Sequence, residues 1–400
     1  MFAAIGVNAN VCLKWDKFRR VAVNLDPTIA DKEVQMIQIP RAFSQNRKLN
    51  LLIATLLLAS GPAALAGLSG GNERDVAIEV AKLPGSGRDG LVIGLDFSSD
   101  GRLLAVDSET ADIEIWDWRH QRKVKSLPRV KGTNDVQTFE PIRFSADGRR
   151  FAFCHMPNSK DAIVEIWDPS NWAALGSITR GNPTEPGRCY GVAFSPDSRH
   201  LFVIDDNIRA DDANLYVYDT GSFRQEWRLR LGKLYPHPES IAVSPDGETV
   251  AIGVNDMKSL NKDVYREWNI YLISTKTRQI TRVINTSAMG AVGWSGDGKG
   301  VAVAGELSFA MYDADTGSKV TEDELNDTAH LKLRFTADGR YLILADSNAL
   351  GSGTGIHIWD SKHINLLQVI HANIESLAIS GNSRYMALGA TGDVTVWQLK

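Results

Sequence analysis

From Val76 onward the chain is written in short apolar runs separated by small polar turns, and one arrangement recurs seven times. An apolar run ends in Ser or Thr, a variable residue, Asp and Gly. It reads Phe97-Ser98-Ser99-Asp100-Gly101, then Phe144-Ser145-Ala146-Asp147-Gly148, Phe194-Ser195-Pro196-Asp197-Ser198 and Val243-Ser244-Pro245-Asp246-Gly247. Trp294-Ser295-Gly296-Asp297-Gly298 and Phe335-Thr336-Ala337-Asp338-Gly339 follow, and a degraded last copy reads Ile379-Ser380-Gly381-Asn382-Ser383. The Asp (or Asn) positions are spaced by 47, 50, 49, 51, 41 and 44 residues. The turn chemistry accounts for the marker: Ser, Thr and Asp oxygens accept from nearby backbone N–H groups, Pro presets φ, and Gly supplies the left-handed residue that closes a hairpin.

Each marker is followed by a second apolar run, such as Leu103-Leu104-Ala105-Val106 or Leu201-Phe202-Val203-Ile204. A third run ends in an aromatic residue and often Asp, as in Ile115-Trp116-Asp117, Ile166-Trp167-Asp168, Val217-Tyr218-Asp219 and Ile358-Trp359-Asp360. A fourth, more polar run, such as Glu226 to Leu231, closes the unit. Near-continuous apolar runs mean strands covered on both faces, as in a blade held between two neighbours. The reading is an all-β chain: a seven-bladed β-propeller of four-stranded antiparallel blades. The last copy stops at its third strand, Val394-Thr395-Val396-Trp397, while an extra strand-sized run, Val76-Ala77-Ile78-Glu79-Val80, precedes the first. That run is expected to serve as the outer strand of the seventh blade, so the ring is closed by an N-terminal strand and has no open seam.

These recurring markers resemble the WD40 family, and specifically secreted bacterial relatives with loose repeats, over about residues 76–400. The Gly-His pair that supports a buried His–Ser–Asp–Trp network in that family is missing; only His371 sits near its place, without the Gly. The Trp-Asp ending occurs in three blades. Propellers with looser repeats, including lactonases and transport-associated periplasmic propellers, are therefore also in view.

Composition changes the picture at the N-terminus. Arg41, Arg47 and Lys48 precede the apolar run Leu51–Ala59, then Gly61-Pro62 and Ala64-Leu65-Ala66. This is the layout of a secretory signal with an Ala-x-Ala cleavage site, expected to be cut after Ala66. Met36 would give a signal of ordinary length, so the expected organisation is 1–35 as a start-site artefact or disordered, 36–66 as signal peptide, 67–75 as linker and 76–400 as propeller. Gly67, not Cys, stands directly after the cleavage site, and Pro62 interrupts the apolar run, so no stable membrane insertion is expected after cleavage. The whole chain carries a net charge of −4. The part from Gly67 on lacks eight cations and four acids of that total, giving about −8. A nucleic-acid footprint needs a basic stripe, and none is present.

No Cys-x-x-Cys-His, Gly-x-Ser-x-Gly or phosphate-binding Gly-rich loop occurs, and Gly351-Ser352-Gly353-Thr354-Gly355 reads as a hairpin loop. Cys154, at the end of a second strand, and Cys189, just before a first strand, fall on neighbouring blades at one rim. They read either as a disulfide or as two buried thiols. Asp205-Asp206-Asn207 with Asp211-Asp212-Asn214 could gather oxygens around Ca²⁺, but the spacing is not that of an EF-hand and a solvated hairpin loop is the expected reading. His237 and His330 fall near loops without ligand spacing. The long connections between second and third strands, His155 to Asp161, Asp205 to Asn214 and Asn255 to Trp268, are expected on the face where the channel opens. Asp206, Arg209, His237, Tyr265, Arg266 and Trp268 are the candidate partner-binding residues, Tyr, Arg and Trp being common anchors, although Tyr265 and Trp268 could equally pack their own hairpin. The expected function is a non-catalytic, monomeric binding scaffold in the periplasm or secreted, presenting a loop-rich face to a protein or peptide, with no cofactor, no metal and no enzyme activity. The alternative is a lactonase-like or other metal-dependent hydrolase using the axial channel.

Overall fold

The computed structural model describes residues 14–15, 21–22, 36–37, 75–84, 90–108, 112–128, 141–154, 164–178, 187–207, 212–233, 237–260, 263–286, 290–305, 308–324, 332–345, 355–372 and 374–400. Of 14–15, 21–22, 36–37, 187–188, 206–207, 212, 233, 237–239, 256–260, 263–266, 308 and 323–324 it describes the backbone alone. The chain divides into two units, Met1–Glu73 and Arg74–Lys400. In the first, the described backbone is three two-residue strands, Lys14–Trp15, Val21–Ala22 and Met36–Ile37, paired antiparallel. The rest of the expected signal segment and its cleavage site lie outside the described residues.

The second unit is a seven-bladed β-propeller. Blade 1 runs Val92–Phe97, Leu103–Ser108, Ile113–Asp117 and Arg122–Leu127; blade 2 runs Ile142–Phe144, Phe151–Cys154, Val164–Asp168 and Ala173–Ile178. Blades 3 to 6 repeat the order from Gly187–Phe194, His237–Val243, Ala291–Trp294 and Lys332–Phe335 as their innermost strands. Blade 7 has Ser376–Ile379, Tyr385–Gly389 and Val394–Leu399, and its outer strand is Ala77–Leu83 from the beginning of the unit. Val394 pairs with Leu83, Val396 with Ala81 and Leu399 with Ala77, so the closing strand is the expected one, shifted and longer at its far end. Gln368, in the outer strand of blade 6, holds its start: the Val76 and Ala77 amides both donate to Gln368 Oε1 (2.8 Å each), and Gln368 Nε2 donates to the Ala77 carbonyl (3.2 Å).

The core is divided among the blade interfaces. Leu103, Ala105, Ile113 and Ile115 of blade 1 pack on Ile142, Phe144, Phe151 and Phe153 of blade 2, while Leu104 and Val106 face blade 7 with Ala378, Ala387 and Val396. The period-2 alternation of a strand sends successive residues into opposite interfaces, so both sets must be apolar. Each of the seven interfaces carries such a cluster.

The marker turns are built alike in all seven blades. The Ser hydroxyl donates to the Asp carboxylate two residues on, as in Ser98 to Asp100 (2.6 Å) and Ser244 to Asp246 (2.5 Å), and accepts the amide five residues on, as from Leu103 (2.8 Å). The carboxylate also accepts the amide two residues beyond it, as from Arg102 (2.9 Å). The last copy, degraded in sequence, keeps the geometry: Ser380 donates to Asn382 Oδ1 (2.8 Å), which accepts from the Arg384 amide (3.1 Å). Where Ser replaces the usual Gly, Ser198 (φ 62°) and Ser383 (φ 58°) occupy the left-handed region. Each compensates with a bond to the preceding blade, accepting the Asp147 amide (3.0 Å) and the Asp338 amide (3.0 Å). Ser198→Ala keeps the strained backbone and loses the acceptor, so it should cost about 1–2 kcal/mol, whereas Ser198→Gly should cost less because it relieves the strain. Urea unfolding of the two variants checks this; an Ala variant more stable than the Gly variant would contradict it.

The aromatic-Asp endings have a different role from the family's buried network. Asp168, Asp219, Asp313 and Asp360 close the turn between third and fourth strands: their carboxylates accept amides of Ser170 (2.8 Å), Ser222 (2.7 Å), Thr316 (2.7 Å) and His363 (2.8 Å). His371 is exposed.

Candidate functional site

Antiparallel blades put the first-to-second and third-to-fourth turns on one face of the ring. The second-to-third hairpins and the blade-to-blade connections lie on the other. The first face is occupied by the short Ser-x-Asp and Asp-closed turns just described. The second carries connections of very different length, from Leu260 to Asp263 in blade 4 to Leu127 to Ile142 between blades 1 and 2.

Blade 4 is the outlier on that face. Its second and third strands, Thr249–Leu260 and Asp263–Ser274, pair without interruption from Thr249–Ser274 to Leu260–Asp263. The innermost strand of the blade stops at His237, opposite Asn255, so the backbone from Asp256 to Glu267 projects beyond it as a two-stranded arm. The expected loop from Asn255 to Trp268 is therefore a β-hairpin. Its polar residues conceal this from a hydrophobic-pattern reading because they carry no apolar alternation to mark a strand pair. Trp268 is half-buried at the root of the arm, opposite Asn255 and Thr286.

The blade 3 acidic stretch is also not a solvated loop. Strands His200–Asn207 and Asp212–Asp219 run through it, Asp205 is fully buried and Asn214 is buried opposite it. His237 is the first residue of the innermost strand of blade 4, directly after the connection from blade 3. The side chains of Asp206, His237, Tyr265 and Arg266, together with Arg209, Asp211, His330 and the segment His155 to Asp161, lie outside the described residues. Cys154 ends the second strand of blade 2 and Cys189 lies within, not before, the first strand of blade 3; their Cα atoms are 5.9 Å apart with the sulfurs at bonding distance. Among the described residues no group of three or more His, Cys, Asp or Glu side chains gathers as a metal site, and no helix is long and apolar enough to cross a membrane.

The innermost strands carry charges that the repeat pattern alone did not single out. Two residues before the turn hydroxyl, blades 1 to 7 place Asp96, Arg143, Ala193, Ala242, Gly293, Arg334 and Ala378. Asp96 accepts the Phe144 amide of blade 2 (2.6 Å). Arg143 Nη1 donates to its neighbour's carbonyl, Ile142 O (2.7 Å), and Arg334 Nη1 to Leu333 O (2.8 Å). Burial and the Arg334 charge bring Arg143 down to about 10, opposed by Asp96. Arg334 also falls to about 10, chiefly through burial. Burial, then Arg334 and Arg143, bring the nearly enclosed Lys332 down to about 7, with Glu375 opposing. Burial raises Asp96, against the pull of Arg143, the Phe144 amide and Arg334. Aligning the position two before each marker Ser would have exposed two of these cations in the sequence.

The family model described as "Eukaryotic translation initiation factor eIF2A" matches residues 241–398, which run from the innermost strand of blade 4 to the third strand of blade 7. "Protein groucho" of Drosophila melanogaster is 22% identical over 301 residues, covering 72% of this chain and 36% of groucho. The chain thus spans little more than a third of that relative's length. The architecture itself is that of a seven-bladed β-propeller.

Proposed function

We propose that the chain is a non-catalytic binding scaffold working outside the cytoplasm as a monomer, with a protein or peptide partner held on the face that bears the blade 4 arm. The observation that carries this reading is the contrast between the two faces. One is spent on seven self-satisfied marker turns. The other presents unequal hairpins on a rigid ring, the usual place for recognition. The arm adds the residues Tyr265 and Arg266, with Trp268 at its root, residue types that suit anchoring a partner. The names of the similar proteins do not assign a partner.

Shortening the arm, by joining Asn255 to Trp268 through Asn-Gly, is expected to leave the melting temperature nearly unchanged. It should weaken capture of the cognate partner from an envelope or culture-fluid fraction by about tenfold or more, the equivalent of 1.4 kcal/mol. Undiminished capture would contradict the assignment of this face. Stoichiometric divalent metal in the purified chain, with lactone hydrolysis unaffected by the shortening, would favour the hydrolase instead.

The extracytoplasmic setting rests on the signal-like segment and on Cys154 and Cys189, which are placed to bond in an oxidising compartment. N-terminal sequencing of exported protein should read from Gly67, and its mass should rise by two hydrogens on reduction. A secreted chain retaining Phe2 to Gln35, or free thiols at both cysteines, would contradict this.

A further inference from the structure

We propose that the outer strand of blade 3 is a docking edge for an acidic peptide, which adds to it as a further strand. That strand, Gln225–Lys233, is the longest of the seven described outer strands. It pairs with Asp212–Asp219, and among the described residues no strand pairs with its other edge. An extended peptide laid along such an edge gains backbone hydrogen bonds and sends its side chains alternately to the two sides.

Charge decides the kind of peptide. The whole chain carries −4, yet from 224 to 232 Arg224, Arg228 and Arg230 stand against one acid, Glu226. Glu226 is itself held by His200 Nε2 (3.3 Å), and Asp219 in the adjoining turn accepts from the Ser222 amide (2.7 Å) and hydroxyl (2.6 Å). The Arg228 guanidinium lies over the Tyr216 ring, 6.0 Å from its centroid, and Arg278 reaches from blade 4 to lie over Trp227 at 5.9 Å. Tyr216 packs against the cluster between blades 2 and 3, and Trp227 belongs to that between blades 3 and 4. The two guanidinium groups therefore flank the strand on both sides. Arg224, Arg228, Arg278 and the nearby Lys276 are exposed, and among the described residues none of the four has a carboxylate partner. Stacking on a ring holds a guanidinium in place without using its N–H groups. The forks of Arg228 and Arg278 are thus presented to carboxylates that a strand would bring to either side. Cations on an edge also keep copies of a chain from pairing through it, and the test separates that role from docking. The inference concerns the rim of the ring and does not depend on the partner assigned to the arm face.

The test uses the full chain and a blocked peptide of the strand's own nine-residue length, in which Glu-Glu and Thr-Thr pairs alternate so that carboxylates fall on both sides. Fluorescence anisotropy at constant ionic strength should show saturable binding, absent when Lys replaces Glu in the peptide. Arg228→Gln and Arg278→Gln should each weaken it about threefold and together about tenfold. Lys125→Gln, on the outer strand of blade 1, should leave it unchanged. Amide hydrogen exchange of the unaltered chain is the second measurement and decides the matter even if a Gln variant fails to fold. The peptide should slow those amides of Gln225–Lys233 that face away from Asp212–Asp219, which attraction between charges alone does not do. No saturable binding overturns the proposal and leaves the arginines as guards of the edge. Equal affinity in a folded double variant, or binding without slowed exchange, also overturns it. So does binding to vesicles of phosphatidylcholine and phosphatidylglycerol without binding to the peptide.

Discussion

Removal of residues 70–84 is expected to lower the melting temperature by about 10 °C or more and to broaden the transition. The segment supplies the outer strand of blade 7, so its loss strips a ladder running from Leu83–Val394 to Ala77–Leu399. Each backbone bond contributes about 1 kcal/mol net. The packing loss falls on two interfaces at once, because Ala77 belongs to the cluster between blades 6 and 7, and Ala81 and Leu83 to that between blades 7 and 1. Leu83 is fully buried, and exposing such a side chain costs about 2 kcal/mol. The acceptor that serves the Val76 and Ala77 amides, Gln368, would also be left in a buried position without them. Several kcal/mol is a large share of a typical domain's stability. Scanning calorimetry of the shortened chain checks this, and an unchanged melting temperature would contradict it.

Acid should unfold the propeller steeply, because eleven described Asp carboxylates sit below their ordinary range in the folded state. At Asp197, Asp246 and Asp297 the marker Ser hydroxyl is the largest influence. At Asp100, Asp117, Asp147 and Asp338 burial pulls upward most strongly, and the hydrogen bonds together outweigh it. A carboxylate whose folded pKa is depressed stabilises the fold above its unfolded value, near 3.9, and that contribution is lost as pH falls through the folded value. Asp96, raised by burial, works in the opposite direction, one group against eleven. The urea midpoint is therefore expected to be level from pH 7 to about 5 and to drop sharply below about 4. A midpoint that holds from pH 5 to pH 3 would contradict this.

What the sequence revealed and concealed follows from which interactions leave a periodic trace. The marker Ser and Asp recur because each turn needs both to satisfy the same backbone amides, so fold, blade count and the closing strand were legible. The arm from Asp256 to Glu267 was not, because its sequence carries no apolar alternation to mark a strand pair. Asp205 and Asn214 were misleading for the opposite reason: polar residues buried inside a sheet imitate a loop. The cations of the innermost strands were hidden by their register, since Arg143 and Arg334 occupy a position that holds Ala or Gly in four of the other blades and so breaks the repeat. The Trp-Asp endings were visible, but their work at the hairpin turns emerged only from the hydrogen bonds of Asp168, Asp219, Asp313 and Asp360.

The closed ring is tested most directly by amide hydrogen exchange along Val394–Leu399 in the intact chain. With Ala77–Leu83 paired to its outer side, this strand is internal to its sheet, as Asp212–Asp219 is in blade 3. Protection of both alternating sets of its amides, to the level seen in that blade 3 strand, is the expected result. Exchange of every second amide as fast as along the outer strand Arg122–Leu127 would mean that the seventh blade ends at its third strand and that the ring is open.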